Sequence, residues 1–238
     1  MAVITTTEEA VKNIKDGMRV AIGGFFGIGS PVETIDAVVK SGVKDLTLIS
    51  VAGGSPGGGR DINKLVRNRQ IKRFIGTHIG TDKDFMDQYN KGEVKVEFNP
   101  MGTWIERLRA GGAGLGGIIT PTGLGTEVEE HAEKITVEGK EYLLYPPLKA
   151  DIAIIKGYRA DKYGNVEYRG ISLNTNPVLA TAADIVIAEV DEIVEPGEIE
   201  ATAVGTQGIF VDYIVKSMPF KERTQDYEEY WKENNKLR

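Results

Sequence analysis

The 238-residue chain contains no cysteine. That excludes disulfides and cysteine chemistry, and it suits a reducing compartment such as the cytoplasm. Only two histidines are present, His78 and His131. A zinc site would therefore have to lean on carboxylates, and no metal is expected. No run of 18 apolar residues occurs, so no membrane-spanning helix is expected. Residues 1–7 lack a basic segment followed by an apolar run, so no signal peptide is expected. Positive charge is in deficit: 29 Lys and Arg face 35 Asp and Glu, a formal net charge of −6. That argues against a nucleic-acid partner. What remains is 41% hydrophobic and 27% charged, the composition of a globular domain long enough for one large α/β core.

Strand-like and helix-like segments alternate along the chain. Thr6-Thr7-Glu8-Glu9 is a capping box that predicts a helix to about Lys15. Short apolar runs at 19–22, 46–50, 71–77 and 94–98 read as strands, as do the buried-strand patterns at 152–158 and 185–190. Helices are predicted from Asp61 to Arg69, after a cap by Thr81 and Asp84, and from Thr103 with Glu106 to a stop at Gly111. This alternation implies parallel crossovers. The expected fold is an open, mostly parallel α/β sheet with helices on both faces. Ile135–Val137, Glu138-Gly139 and Lys140–Leu144 predict a β-hairpin inserted in it. The expected domain is 1–217. The polar segment 218–238, with Tyr227, Tyr230 and Trp231 three and four apart, reads either as an appended amphipathic helix that docks on a neighbour or as a partly ordered end.

The most informative stretch is residues 16–31. The strand Arg19–Ile22 runs into Gly23, Gly24, Gly27 and Gly29, with Phe25, Phe26 and Ile28 between them. Ser30, Pro31 and Glu33 follow as the predicted N-cap, first residue and capping-box acid of a helix. A glycine loop feeding a helix N-terminus favours phosphate or carboxylate. The third glycine of the dinucleotide fingerprint is missing, since Gly27-Ile28-Gly29 precedes Ser30-Pro31-Val32, and no acid ends the next strand. No Gly-Lys-Ser/Thr is present either, so a nucleoside triphosphate fits poorly. A tight turn that binds nothing remains open on the glycines alone. Two more glycine-rich loops, 53–59 and 111–117, fall at strand ends, where ligands bind in open sheets.

Asp16-Gly17, Gly23-Gly24-Phe25, Gly29 and Pro31 are followed in order by Ile71-Lys72-Arg73, Gly102-Thr103, Glu106-Arg107, residues 109–114 and Thr120-Pro121-Thr122-Gly123. Lys149-Ala150-Asp151, Asp161, Gly164-Asn165 and Asn174 complete the series. Over residues 5–217 this pattern resembles the A (alpha) subunit of class I, 3-oxoacid-type CoA-transferases. The acetoacetate/butyrate group within that family shares Gly27-Ile28-Gly29, His78-Ile79-Gly80-Thr81 and Gly114-Leu115-Gly116-Gly117. The resemblance implies ping-pong transfer of CoA between an acyl-CoA and a short-chain acid, with CoA as substrate and no permanently bound cofactor. A glutamate attacks the thioester to give an acyl-glutamyl anhydride, and CoA thiolate returns to give a glutamyl-CoA thioester. In the family that glutamate lies in a Ser-Glu-Asn-Gly segment of the B (beta) subunit. This chain has no Ser-Glu-Asn, and Glu33, Glu106, Glu129 and Glu192 all have simpler explanations as capping or surface acids. The resemblance therefore implies a B-subunit partner, in a heterotetramer or larger complex, and no catalytic residue here.

By motif match, Gly23, Gly24, Phe25, Phe26, Gly27, Ile28 and Gly29 are the expected CoA-contact segment. Three departures mark the expected acid pocket. Ser50-Val51-Ala52-Gly53-Gly54 replaces the family's Ser-Asn-Asn-Ala-Gly, and Pro100-Met101-Gly102-Thr103 replaces its Pro-Gln-Gly-Thr. Leu173 and Thr175 replace an arginine and a phenylalanine. Val51, Ala52 and Met101 thus stand where relatives place amides that can hold an oxyanion or an acid oxygen. Arg60 is a candidate substitute charge, or simply a surface arginine. Two other readings stay open: a non-catalytic sensor of an acyl-CoA or sugar phosphate on the same fold, and a single-chain sugar-phosphate isomerase.

Overall fold

The computed structural model describes residues 1–56 and 59–233, the side chains of Asp226, Tyr227, Tyr230, Trp231 and Glu233 excepted. Along the chain run β1 (Val3–Thr5), α1 (Thr7–Ala10), β2 (Arg19–Ile22), α2 (Val32–Ser41) and β3 (Leu46–Ile49). Then come α3 (Asn63–Arg67), β4 (Ile71–Gly76), α4 (Lys83–Asn90), β5 (Lys95–Phe98) and α5 (Met101–Gly112). A small antiparallel sheet follows, β6 (Ile118–Thr120), β7 (Glu133–Val137) and β8 (Lys140–Tyr145). The chain re-enters the main sheet with β9 (Ala150–Asp161), β10 (Val166–Glu167), α6 (Asn176–Thr181), β11 (Ala183–Val194), β12 (Val204–Thr206) and β13 (Tyr213–Lys216), and ends in α7 (Phe220–Glu233).

Eight strands of the main sheet are parallel, in the order β1-β13-β11-β9-β2-β3-β4-β5. β10 pairs antiparallel with β9 and β12 at one corner. Successive residues of each central strand feed opposite cores, as period-two geometry requires. Val20, Ile22, Leu48, Phe74, Ile152, Ile154 and Ile187 pack under α1 to α4. Ala21, Ile49, Ile75, Ala153, Ile155, Val186 and Ala188 pack under α5 and α6. The expected α/β sheet with helices on both faces is present, and so is the hairpin. Its turn has Glu138 at φ 50° and Gly139 at φ 75°, the positive pair that a two-residue hairpin needs. β6 extends it to three strands.

Several boundaries differ from expectation. The first helix caps as predicted, Thr6 accepting from Glu9 N at 3.3 Å, but becomes a 3₁₀ turn at Val11–Asn13. Asp82, not Thr81, caps α4, accepting from Phe85 N at 3.1 Å. Thr103 and Glu106 form no capping box. α5 begins earlier at Met101, and Glu106 instead pairs with Arg109 at 3.0 Å on its exposed face. Gly111 does not stop that helix. It lies inside α5, where glycine is needed because a Cβ would sit 2.2 Å from Leu148 O. Helix α3 is shorter than the predicted 61–69 because Asp61 turns inward to accept from Ser55 N at 3.0 Å. The edge strand β1 and its neighbour β13 were not legible in the sequence, for they are three and four residues long and pair only with segments remote in the chain.

Candidate active site at the sheet switch point

The strand order reverses at β2. From there β3, β4 and β5 extend one way and β9, β11 and β13 the other. In open parallel sheets the crevice at this point, beyond the strand carboxyl ends, is where ligands bind. The glycine loop leaves β2 there.

Gly23 N donates to Ile154 O at 2.9 Å, so the loop starts as a continuation of the β2–β9 pairing. Phe25 and Ile28 then exchange both backbone hydrogen bonds, at 2.9 and 3.0 Å, around Phe26 at φ 51° and Gly27 at φ 88°. Positive φ at both central residues is the type I′ arrangement. The loop is therefore a tight apolar finger rather than an open cradle. Its underside is held by two asparagines. Asn174 Nδ2 donates to Ile28 O at 3.0 Å, and Asn176 Nδ2 to Gly29 O at 3.2 Å. Asn176 Oδ1 also accepts from Lys156 N at 3.0 Å. Asn174 belongs to the sequence pattern; Asn176, wholly buried, was not singled out.

The finger forms one wall of a cavity of about 460 Å³. Phe26, Gly27, Ile28 and Gly29 face it, together with Tyr158, Arg169, Phe220 and Arg223. Gly23, Gly24 and Phe25 form the base of the finger and are not among the residues lining the cavity. Arg169, exposed, stacks its guanidinium over Tyr158 at 5.3 Å and over Phe220 at 5.7 Å. At the cavity floor Lys156 Nζ meets Asp191 Oδ1 at 2.5 Å, and Arg223 grips Asp191 with two bonds of 2.6 and 2.9 Å. Burial pushes the Asp191 carboxyl up, but Arg223 and Lys156 outweigh it and hold the group at about 2. Asp191 is the one acid among the described lining residues, and it is committed to these two cations.

The helix after the loop is capped from afar. Pro31, not Ser30, is its N-cap residue, and no local side chain caps it. Thr34 N donates instead to Glu189 Oε2 of β11 at 2.8 Å, as does Thr34 Oγ1 at 2.8 Å. Glu33 is not a capping-box acid; it reaches across to accept from Met218 N at 3.2 Å. The predicted local cap is therefore replaced by a tertiary one. The signal available in the sequence was a single charge in each of the predicted apolar segments 152–158 and 185–190, Lys156 and Glu189, which turn out to be register partners in β9 and β11.

Val51 and Ala52 are buried at the end of β3, in the core against which Phe25 and Phe26 rest. Ala52 bridges to His78, whose ring stands edge-on to Phe26 at 6.4 Å. Met101 lies two strands away, exposed at the start of α5. Glu106 and Glu129 pair with Arg109 and Lys134, remote from the finger in sequence, while Glu192 accepts from Tyr158 Oη at 3.4 Å. Leu173 is exposed and Arg60 half-buried. Of the 53–59 loop, Gly57 and Gly58 lie outside the described residues. So do residues 234–238 and the side chains of Tyr227, Tyr230 and Trp231, on which the amphipathic-tail reading rested. No helix among the described residues is long and apolar enough to cross a membrane.

A parallel α/β sheet with a mostly apolar cavity at its switch point, floored by Lys156, Arg223 and Asp191, has the architecture in which open sheets place their ligand sites. Residues 4–217 match the coenzyme A transferase family, to which the chain belongs. Over 218 residues it is 42% identical to the acetate CoA-transferase subunit alpha of Escherichia coli K12, covering 92% of this chain and 98% of that one. Over 202 residues it is 45% identical to the acetoacetyl-CoA:acetate/butyrate CoA transferase alpha subunit of Clostridium acetobutylicum, covering 85% and 92%. Its fold matches an acyl-CoA transferase of E. coli O157:H7, solved as a thioester complex with CoA, at TM-score 0.82 and 24% identity. The match covers 91% of this chain and 47% of the solved one, so the chain spans about half of that structure.

Proposed function

We propose that this chain is the A subunit of a heteromeric CoA-transferase. It moves CoA between an acyl-CoA and a short-chain carboxylate, with acetoacetate, butyrate and acetate as the leading acids. The nucleophilic glutamate comes from a separate B subunit, and CoA is a substrate rather than a resident cofactor. The observation that carries this reading is the cavity at the switch point. It has a finger of family-specific sequence, two arginines and an apolar wall, yet its one described acid is locked between Lys156 and Arg223. A carboxylate so held does not attack a thioester. This supports a site that binds and orients, with the nucleophile supplied by the partner chain.

Within the loop, Phe26, Gly27, Ile28 and Gly29 are the contacts we assign to the CoA ester, and Gly23, Gly24 and Phe25 support them. Ile28, Ile171 and Leu173 expose apolar side chains close to this end of the sheet, a face suited to the B subunit. Val51, Ala52 and Met101 are assigned to the acid pocket. Remote CoA binding can be used to hold the thioester in position for attack, which raises the rate as well as the affinity. The absence of cysteine agrees with a cytoplasmic location.

The test is reconstitution. The chain alone should transfer no CoA from any acyl-CoA donor to any acid. Mixed or co-expressed with a polypeptide carrying Ser-Glu-Asn-Gly, it should do so with ping-pong kinetics. Robust turnover by the isolated chain refutes the half-enzyme reading.

A further inference from the structure

Two carboxyl groups outside the proposed reaction lie at the first turn of α2, the helix that the glycine finger enters. Glu189 of β11 is completely buried, and Glu33 of α2 is mostly so. Each uses one oxygen. Glu189 Oε2 takes both donors of Thr34, and Glu33 Oε1 takes Met218 N. The other two oxygens, Glu33 Oε2 and Glu189 Oε1, are sealed from solvent without a donor, and Glu189 reaches the backbone N–H of Thr34, the residue next to Glu33. Two neighbouring carboxylates whose remaining oxygens are acceptors only, both dry, repel and leave both oxygens unsatisfied. One proton between them satisfies both.

The surrounding charges count the same way. Lys156 from β9 and Arg223 from α7 supply two positive charges, Asp191 from β11 and an ionised Glu33 supply two negative ones. The cluster is neutral with Glu189 protonated and carries one uncompensated buried charge without that proton. Burial and then the neighbouring Glu33 push the Glu189 carboxyl well above its ordinary 4.5, while Glu33, buried too, is held low by Glu189, its backbone contacts and Lys156.

We propose that Glu33 and Glu189 share a single proton at neutral pH, and that this pair is the positioning element that fixes the glycine finger over the cavity. The pair ties the first turn of α2 to β11 and to the chain leaving β13, and the finger enters α2 through Ser30 and Pro31. Its consequence for catalysis rests on the CoA-transfer reading; the proton and the loop do not.

Three measurements on the complex with its B chain test it. In infrared difference spectra at pH 7, wild type minus Glu189→Gln should show the C=O stretch of a protonated carboxylic acid, and Glu33→Gln should move the midpoint of that band to lower pH. No band, or an unmoved midpoint, overturns the shared proton. Unfolding against pH supplies the second. A carboxyl raised in the folded state gives stability that is full below 4.5 and is lost as pH rises through the folded value. Glu189→Gln should lack that decline above pH 4.5, and an identical decline in both proteins counts against the proposal.

The third measurement separates positioning from packing. Gln keeps a donor toward Glu33 and an acceptor for Thr34, whereas Leu keeps only bulk. Glu189→Leu should speed hydrogen exchange at the amides of residues 24–34 and raise the acyl-CoA KM about tenfold with less change in kcat, and Glu189→Gln should restore both. Equal exchange in the Leu and Gln variants overturns the positioning role. A complex with no turnover on any donor would instead remove the CoA reading, and the exchange result would still decide the role of the pair.

Discussion

A Cβ on residue 23 would lie 1.8 Å from Asn176 Oδ1. Glycine is required there by the chain's own packing, before any ligand is considered. Asn176 cannot yield, because the same oxygen holds Lys156 N and its amide holds Gly29 O. Gly24 is similarly hemmed in by Ser30 Oγ at 2.2 Å. Gly23→Ala should therefore cost about 1–3 kcal/mol by displacing Asn176 and stranding buried polar groups. Chemical denaturation of the isolated chain would measure it, and a stability within about 0.5 kcal/mol of wild type would show that Asn176 can turn aside.

Gly27 differs, because it faces the cavity at the tip of the finger. Gly27→Val should weaken acyl-CoA binding by about tenfold, or 1.4 kcal/mol, while the complex still assembles. Valine at φ 88° also strains the backbone. Gly17, at φ 79° with nothing within 4 Å of its Cβ position, is the control for strain alone. Gly17→Val should lose comparable stability and keep its acyl-CoA affinity. Unchanged affinity in Gly27→Val would mean that the finger is only a turn.

Asp191 joins β11 to Lys156 and to the start of α7. Asp191→Asn leaves Lys156, its side chain only 6% exposed, without its ion-pair partner, and should destabilise the protein by about 3–5 kcal/mol. The wild-type carboxyl, lowered to about 2 from 3.8, gives stability that is present above 3.8 and is lost as pH falls through the folded value. Thermal unfolding between pH 5 and pH 2 should thus show an acid limb that is shallower in Asp191→Asn. Parallel limbs would locate the acid-sensitive group elsewhere.

Met101 is the one exposed member of the proposed acid pocket. Met101→Gln should shift the ratio of kcat/KM toward acetoacetate over butyrate by about fivefold, the scale of one hydrogen bond near 1 kcal/mol. Val51→Asn and Ala52→Asn bury an amide in an apolar core and should cost stability first. An unmoved ratio in a folded, active Met101→Gln complex would assign acid choice to the B subunit.

Much of the fold was legible because burial leaves a local pattern. β2, β3, β9 and β11 are apolar runs, and Glu138-Gly139 is a two-residue turn that can be read without any partner. Helix caps were legible only in part. Thr6 accepts from Glu9 three residues on, as expected. Ser30, Thr81 and Thr103 had the right residue types and do not cap, since Glu189, Asp82 and an earlier helix start satisfy those ends instead.

The glycine finger shows where sequence stops. Its residues, its place after β2 and its family were determined by the sequence itself, because strand, glycine and proline preferences act between neighbours. That Gly23 and Gly24 serve packing while Gly27 faces the cavity was decided only by tertiary structure. So was the meeting of Glu33 with Glu189, 156 residues later, and of Lys156 with Asp191. Such pairs depend on which strand lies beside which. That choice is made by burying two apolar sheet faces at once, a sum over the whole chain that no local pattern records.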